Sequence, residues 1–435
     1  MQAQQPGAPG MRGALVEEQL DGAVEMKIRA HQLGQFAVKE RFFGQFHRLL
    51  KNKPAQAIAA SLNFVLLTAG AASIISIPRM PPPHDKNETP DQRWMHLALD
   101  QAQRGVGLTS PNPPVGAVIV AQGKVIGQGF HRKAGGPHAE VEAIRVAQQA
   151  NAKLLPGSTI FVTLEPCCTH GRTPPCTEAI KAAGIKRVVF GAHDPNPKHA
   201  GRCRDIFLLA GIEVTAGVLE SECRAMIRPF TKWIATGIPY VIAKAGQSLD
   251  GRLTRPAGES QWITSDAARS HGRRLRMRVD AIIVGAETVR KDNPQLTLRD
   301  GRGASGKIQP WRVVLTRSGD IPPRSHLLTD EFKDRTLIMH GKDLPDVLKE
   351  LGKSGVLSVL IEGGGIILGQ AFRERLVDEV YWYIAPRLCG GGRPSLAGPA
   401  LPQSIELDKV TVRPMGDNVL MHGFPVWPDQ PPTKP

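Results

Sequence analysis

From residue 89 onward, the pattern of hydrophobic and polar positions alternates between helical and strand periods. The segment Thr89-Pro90-Asp91-Gln92 has the composition of a capping box with proline at the first helical position. We predict that the helix ends at Gly105 and that its apolar face is formed by Trp94, Leu97, Ala98 and Ala102. Gln122-Gly123 is typical of a hairpin turn. Short apolar runs predict strands at residues 115–120, 125–130, 159–164, 187–191 and 212–216.

A second series of apolar runs follows a linker-like helix and turn at residues 220–238. It predicts buried strands at residues 240–245, 281–285, 312–316, 336–340, 359–362 and 380–385. Alternating strands and helices are typical of α/β layered domains, and a chain of 435 residues is long enough for more than one hydrophobic core. We therefore expect two α/β domains, at residues 88–220 and 238–428, with no internal repeat between them.

Residues 1–85 differ from the rest in composition, with a start rich in glutamine, proline and glycine. The uncharged run from Ala57 to Ile77 is 21 residues long, which is enough to span a membrane. Basic residues precede it, so the positive-inside rule would place both domains outside the cell. The alternatives are a poorly ordered extension or a true start at Met80. We favour these over an anchor and predict no membrane association.

Composition and charge narrow the class of protein. The chain has 41% hydrophobic and 22% charged residues, a balance typical of globular proteins. Its six cysteines are too few for a disulfide scaffold, and three of them lie between positions 167 and 176, which indicates a metal site and a reducing, cytoplasmic location. A net charge of +15 favours phosphorylated partners. Because the chain has three tyrosines and no long basic run, we predict no nucleic-acid partner.

A candidate zinc site is formed by His138, Cys167 and Cys176. A catalytic zinc takes three protein ligands of nitrogen and sulfur type and keeps one position for water, whose pKa falls to about 7. His138-Ala139-Glu140 opens a predicted helix over residues 139–150, and Glu140 is placed to move the water's proton without binding the metal. This pattern of His-x-Glu followed by Pro-Cys is typical of zinc deaminases.

The alternative is a structural zinc site, which has four ligands. Cys168 or His170 would then supply the fourth. The second cysteine ligand also lies nine positions after the first, instead of the three positions usual in zinc deaminases.

The segment from Pro166 to Cys176, Pro-Cys-Cys-Thr-His-Gly-Arg-Thr-Pro-Pro-Cys, resembles a loop of the bifunctional deaminase/reductase family of riboflavin biosynthesis. The resemblance extends over residues 91–385. It implies an α/β fold with a cytidine-deaminase-like three-layer domain followed by a dihydrofolate-reductase-like α/β domain. Cys168 occupies a position where the family commonly has serine, which argues against a ligand role. The resemblance also implies deaminase substrate contacts at Asn112, His131, Asp194 and Asn196, with Arg172 at the substrate phosphate.

The second half has a glycine run, Glu362-Gly363-Gly364-Gly365, between a predicted strand and a predicted helix, where backbone amides suit an anion. No Gly-x-Gly-x-x-Gly follows a first strand, which argues against a Rossmann domain. The resemblance implies substrate contacts at Ser260, Arg276, Leu296, Arg299 and Glu362. It implies NADPH contacts at Gly246, Trp262, Thr288, Asp292, Gly364 and Gly365. At the end of the predicted strand at residues 312–316, the family usually has aspartate, whereas this chain has Thr316-Arg317. The resemblance therefore does not supply the aspartate expected to contact the cofactor's ribose.

The resemblance implies two reactions, with Zn²⁺ and NADPH as cofactors. A small phosphorylated pyrimidine, 2,5-diamino-6-(5-phosphoribosylamino)pyrimidin-4-one, loses an amino group, and NADPH then reduces the ribosyl side chain to ribityl. The family also favours a homo-oligomer. Two alternatives remain: a deaminase acting on bases in tRNA or DNA, and a non-catalytic zinc module. We find no obvious proton donor in the second half of the chain.

Overall fold

The computed structural model describes residues 87–170, 174–299 and 307–428. The predictions for residues 1–85, including the apolar run, and for Arg172 lie outside these ranges. Within them, no helix combines the length and apolarity needed to cross a membrane.

The first domain is built on a five-stranded sheet with the order β2-β1-β3-β4-β5. Strands β1 and β2 are joined by Gln122 and Gly123, with φ of 50° and 69°, the positive values that a tight hairpin turn requires. β1 is antiparallel to β2 and β3, whereas β3, β4 and β5 are parallel. The strands are β1 Gly116–Ala121, β2 Lys124–Phe130, β3 Thr159–Leu164, β4 Arg187–Ala192 and β5 Glu213–Ala216. All five predicted strands are confirmed, with ends shifted by at most one residue.

Helices cover both faces of this sheet, which gives three layers. The predicted capping box is present, because the Thr89 side chain accepts from the Gln92 amide and the Gln92 side chain accepts from the Thr89 amide. The helices are α1 Pro90–Gly105, α2 Ala139–Asn151, α3 Cys176–Ala182, α4 Arg202–Leu209 and α5 Glu220–Met226. α1 and α5 pack on one face, where Met95 and Cys223 share a core with β-strand side chains, and α2, α3 and α4 pack on the other.

The two domains are joined by helix α6, Arg228–Thr236, which ends at Gly237 with a φ of 71°. A left-handed glycine at this position is a common way to end a helix, since glycine has no Cβ to clash. The predicted linker therefore contains two helices, α5 and α6.

The second domain is built on an eight-stranded sheet with the order β12-β13-β11-β6-β10-β7-β8-β9. The segment from β11 to β9 in this order is parallel, and β13 and β12 are added antiparallel at one edge. The strands are β6 Tyr240–Ser248, β7 Ala281–Gly285, β8 Trp311–Thr316, β9 Thr336–His340, β10 Ser358–Ile361, β11 Glu379–Ala385, β12 Glu406–Met415 and β13 Asn418–Val426. The six predicted strands are confirmed. The β12–β13 hairpin was not predicted, because β12 is exposed along most of its length and has no apolar run.

Helices again cover both faces of the sheet. They are α7 Asp266–Leu275, α8 Ala286–Asp292, α9 His326–Thr329, α10 Leu344–Lys353 and α11 Gly365–Arg373. α10 and α11 enclose one core with Val241, Ile283 and Ile361, and α7, α8 and α9 enclose the other with Ile242, Ile282 and Leu360. The remaining short turns are 3₁₀ helices at Ala152–Leu154, Arg276–Arg278 and Lys333–Arg335.

Candidate active site

Helix termini and strand ends place the three candidate zinc ligands together. His138 is the residue before helix α2, Cys167 follows strand β3, and Cys176 begins helix α3. The Nδ1 atom of His138 lies 3.5 Å from the Cys167 sulfur and 3.2 Å from the Cys176 sulfur. Tetrahedral zinc with ordinary Zn–N and Zn–S bonds separates such ligand atoms by about 3.5 Å. The donor set and its spacing therefore fit a zinc ion.

The structure does not support a fourth protein ligand within the described ranges. The metal-compatible group found there consists of His138, Cys167 and Cys176. Cys168 turns instead toward His199, with its sulfur 3.9 Å from Nδ1. A site with three protein ligands leaves one position for water, as a catalytic zinc requires.

Glu140 lies in the first turn of α2, with 3% of its surface exposed. Burial raises the pKa of its carboxyl group to about 6, although the neighbouring His138 opposes that shift. A hydrogen bond from Cys176 lowers the pKa of the Cys167 thiol to about 4, which favours the thiolate that binds metals. Glu140, the candidate proton carrier, thus lies in the same site as the candidate metal ligands.

Four of the five predicted deaminase substrate residues, Asn112, His131, Asp194 and Asn196, line one cavity of about 640 Å³ together with His138, Glu140 and Cys167. His131 Nδ1 lies 2.9 Å from the Pro137 carbonyl oxygen, so this nitrogen carries the proton. Nε2 is then free to accept from the Asn112 side-chain amide at 3.0 Å. Burial lowers the pKa of His131, which favours this neutral form.

Asp194 and Asn196 line the same cavity from the loop after β4. The Asn196 backbone amide donates to Asp194 Oδ1 at 2.8 Å, which closes the turn. This loop is held by Glu165, a buried residue that sequence reasoning missed. The Glu165 carboxylate accepts from the backbone amides of Asp194 at 3.3 Å and Gly201 at 3.1 Å. Glu165 immediately precedes Pro166-Cys167 in the sequence, and this position could have indicated a role at the site.

Sequence reasoning also missed several other residues of this cavity. They are His199 and Lys198 from the Asp194 loop and Phe230, Trp233 and Ile234 from the linker helix α6. The three α6 residues have helical i, i+3, i+4 spacing, but nothing local to the sequence indicates which domain that face meets.

In the second domain, Arg276 and Glu362 form a two-point ion pair, with Nη2 2.9 Å from Oε2. Burial would raise the pKa of Glu362, but Arg276 and Lys244 outweigh it and hold that pKa below its ordinary value. Arg276 also donates to the Thr297 carbonyl at 3.1 Å, beside Leu296, whose φ is 53°. Burial and the nearby charge of Arg276 lower the pKa of Arg299. The structure thus brings four of the five predicted substrate residues into one neighbourhood.

The fifth, Ser260, is exposed, and its hydroxyl accepts from the Trp262 backbone amide at 3.2 Å.

Lys244 is a functional candidate that sequence reasoning missed. Burial lowers the pKa of Lys244, and the nearby Glu362 partly offsets that shift. A side chain at Gly272 would contact the Lys244 Cε, so the lysine packs closely against helix α7. A lysine with a lowered pKa next to the predicted substrate residues is a candidate proton donor.

Three of the predicted cofactor residues, Thr288, Gly364 and Gly365, lie at the start of α11. Gly364 has a φ of 79°, and a Cβ atom added there would lie 3.7 Å from the Thr288 hydroxyl oxygen, so these two positions are neighbours. Gly365 begins α11. Gly246 packs against Thr264. The remaining two are Trp262, half exposed under the Arg269 guanidinium, and Asp292, the last residue of α8.

Thr316, the departure from the family pattern, is buried, and its hydroxyl accepts from the Gly319 amide at 3.1 Å.

The fold and the site define a zinc-dependent deaminase domain joined to a second α/β domain with a glycine-lined strand end. Comparison with known proteins identifies the family of each domain. Residues 88–192 match the cytidine and deoxycytidylate deaminase zinc-binding region, and residues 239–421 match the RibD C-terminal domain. The chain belongs to the RibD family of riboflavin biosynthesis proteins.

Individual relatives cover both domains. The chain is 38% identical over 365 residues to the riboflavin biosynthesis protein RibD of Escherichia coli strain K12, covering 76% of this chain and 98% of that one. It is 37% identical over 353 residues to RibD of Aquifex aeolicus, covering 76% of this chain and 97% of that one. A solved structure of Acinetobacter baumannii RibD, form 1, matches with a TM-score of 0.71 and 37% identity, covering 78% of this chain and 99% of that one.

A Thermotoga maritima structure matches with a TM-score of 0.69 and 34% identity, covering 77% of this chain and 99% of that one. It is described as a diaminohydroxyphosphoribosylaminopyrimidine deaminase/5-amino-6-(5-phosphoribosylamino)uracil reductase.

These similarities confirm the expected α/β fold, a cytidine-deaminase-like domain followed by a reductase domain. They also confirm a bifunctional enzyme of riboflavin biosynthesis that combines deamination with reduction. The two domains imply zinc and a nicotinamide cofactor. The alternatives of a deaminase for bases in tRNA or DNA and of a non-catalytic zinc module are not favoured, because both leave the reductase domain without a role.

Proposed function

We propose that this chain deaminates 2,5-diamino-6-(5-phosphoribosylamino)pyrimidin-4-one and then reduces the ribosyl side chain of the product to ribityl with NADPH. We place the two activities at residues 88–220 and 238–428. The Thermotoga maritima relative is named for both reactions. The observation that carries the proposal is that one cavity joins His138, Cys167 and the buried Glu140 to the pocket residues that the family resemblance implied.

In the deaminase domain, His138, Cys167 and Cys176 would hold zinc. A bound zinc ion lowers the pKa of a coordinated water to about 7 and so supplies a nucleophile at neutral pH. Glu140 takes a proton from the attacking water and returns it to the departing amino group, which leaves as ammonia. Its pKa of about 6 suits both directions of transfer near neutral pH.

Polar groups around the deaminase cavity would orient the pyrimidine. His131 is fixed in one tautomer by Pro137 and Asn112, so it presents a defined pattern of donor and acceptor. Asp194 and Asn196 supply further polar atoms from a loop that Glu165 holds in place. We assign the substrate phosphate to Lys198, which lines the cavity, and to Arg172.

In the reductase domain, the deaminated ribotide would be bound by Arg276, Glu362, Leu296, Arg299 and Ser260. We assign NADPH to Gly246, Trp262, Thr288, Asp292, Gly364 and Gly365. NADPH, when bound, supplies the hydride, and the protein aligns the two reactants. Lys244 would deliver the accompanying proton, since burial favours its neutral form and so eases loss of a proton from the ammonium.

We further propose that the protein acts in the cytoplasm, where phosphorylated substrates and NADPH are available and cysteine ligands stay reduced. We also propose a homo-oligomer. Its interface would include the edge hairpin β12–β13, which leaves four valines between 40% and 59% exposed, Val410, Val412, Val419 and Val426. Exposed apolar side chains at the edge of a sheet are typical of a contact surface.

The proposed function is tested with the full-length, zinc-loaded protein and the diaminopyrimidine ribotide, with products identified by mass. We expect ammonia loss without NADPH and a gain of two hydrogens when NADPH is added. A chelator should stop ammonia release but leave reduction of the separately supplied deaminated ribotide intact. Failure of the zinc-loaded protein to release ammonia from this ribotide would contradict the proposal.

A further inference from the structure

An aromatic part of the deaminase cavity's wall comes from outside the deaminase sheet. Phe230, Trp233 and Ile234 line the cavity from one face of helix α6. This helix lies between the two ranges that match family models, residues 88–192 and 239–421. The neighbouring cavity wall consists largely of polar and metal-binding side chains, so α6 supplies the aromatic surface against which a planar ring can pack.

The reductase domain holds the same helix. The Trp233 indole nitrogen donates to the Gly352 carbonyl oxygen at 2.9 Å, at the end of α10. Lys232 forms an ion pair of 2.5 Å with Asp378, whose Oδ2 also accepts from the Val241 amide. A side chain at Gly352 would overlap the Gly237 carbonyl, so the end of α6 lies directly against α10. Trp233 therefore contacts the deaminase cavity and the reductase domain at once.

A second contact between the domains is made by Ser110. The Ser110 hydroxyl donates to Asp280 Oδ1 at 2.6 Å, and Asp280 Oδ2 accepts from the Leu357 and Ser358 amides at 2.9 and 3.1 Å. Ser110 is two residues before Asn112, which lines the cavity. Two parts of the deaminase wall are thus bonded to the second domain, one at Gly352 near the end of α10 and the other at Asp280, just before β7.

We propose that Trp233 is a positioning and specificity-determining residue of the deaminase. Its ring forms the surface on which the substrate pyrimidine packs, and its indole N–H lets the reductase domain hold that surface in place. The inference rests on the proposed substrate. Because Trp233 contacts the ring in both the bound and the reacting states, it acts on substrate affinity and leaves the proton transfers of Glu140 unchanged.

The test compares Trp233→Leu and Trp233→Phe in the full-length, zinc-loaded protein, with ammonia release measured without NADPH. Loss of a stacking surface should raise the deaminase KM more than about tenfold in Trp233→Leu, with kcat and zinc content unchanged. Trp233→Phe keeps an aromatic ring and loses one hydrogen bond, so its KM should rise only about threefold. The reductase KM, measured with the deaminated ribotide, should not change in either variant.

Trp427→Phe is the matched control. Its indole also donates to a backbone carbonyl, that of Val377 at 3.2 Å, but Trp427 does not line the cavity. We expect a wild-type deaminase KM for this variant. A wild-type KM in Trp233→Leu, or a loss of kcat and zinc at constant KM, would overturn the inference and leave the proposed function standing. An inactive wild-type enzyme would overturn both.

Discussion

Arg276 and Glu362, both predicted to bind the reductase substrate, bind each other through two nitrogen–oxygen contacts. Each side chain is about nine-tenths buried. Removing one member of such a pair leaves the other as an uncompensated buried charge, which costs more than the pair itself contributes. The ion pair therefore links the predicted substrate site of the reductase domain to that domain's stability.

Glu362→Gln should lower the free energy of unfolding by about 3 kcal/mol, because Arg276 loses its counter-charge. It should also abolish reductase activity and leave ammonia release unchanged. Chemical denaturation of Arg276→Leu, of Glu362→Leu and of the double variant Arg276→Leu/Glu362→Leu measures the coupling energy between the two side chains. We expect the double variant to lose much less than the sum of the single losses, and strictly additive losses would contradict the pairing.

Glu140→Gln should lower the rate of ammonia release by about 10²- to 10⁴-fold, because glutamine cannot carry the proton between water and the leaving amine. The substitution retains shape and does not alter a predicted metal ligand, so zinc content should stay at the wild-type level. Reduction of the deaminated ribotide should proceed as in the wild type. Substantial ammonia release by this variant would show that another group moves the proton.

Asp250 gives the reductase domain an acid-sensitive contact. A hydrogen bond from the Ser248 hydroxyl, followed by those from the Cys389 and Gly390 amides, lowers its pKa to about 2 from an ordinary value of 3.8. Because the folded-state pKa is the lower one, its stabilisation is complete above pH 3.8 and is lost as the pH falls toward 2.

We therefore expect the midpoint of urea unfolding to fall less steeply over this acid range in Asp250→Asn than in the wild type. Asp346→Asn, at a site whose side chain is 67% exposed, serves as the control and should follow the wild-type curve. Parallel curves for the wild type and Asp250→Asn would contradict this assignment.

Arg312 is buried and uses all five of its N–H groups. Two bind Asp330 at 2.6 and 2.8 Å, and the others bind the Thr336 hydroxyl and the carbonyl oxygens of Gln295 and Leu327. The Gln295 contact fixes the residue before Leu296, which is a predicted substrate residue.

Arg312→Lys should reduce the free energy of unfolding by about 3 kcal/mol, because lysine has three donors on a single nitrogen and cannot span these acceptors. It should also raise the reductase KM, because loss of the Gln295 contact frees the neighbouring Leu296, a predicted substrate residue. Arg224→Lys, in an exposed pair with Glu220, should change stability by less than about 1 kcal/mol. Equal effects of the two substitutions would argue against a special role for Arg312.

Local patterns were enough to predict much of the fold and the metal site. The capping box at Thr89, the hairpin turn at Gln122-Gly123 and eleven strands follow from the periodicity and turn chemistry of short segments. His138 and Glu140 are two positions apart, and Cys167 follows a buried strand, so their meeting depends on few intervening elements. The β12–β13 hairpin escaped prediction because an exposed edge strand needs no apolar run.

Contacts between distant segments required the tertiary structure. Lys244 and Glu362 are neighbours because strand β10 pairs with β6 in the register Ile361 to Ala243, and only the sheet order determines that pairing. Trp233 meets the deaminase cavity because α6 packs between two domains. The sequence by itself determined the candidates for metal and proton chemistry, since the spacing that marks them is local. The tertiary structure decided which side chains surround them, because packing energy depends on all the segments that meet at a site.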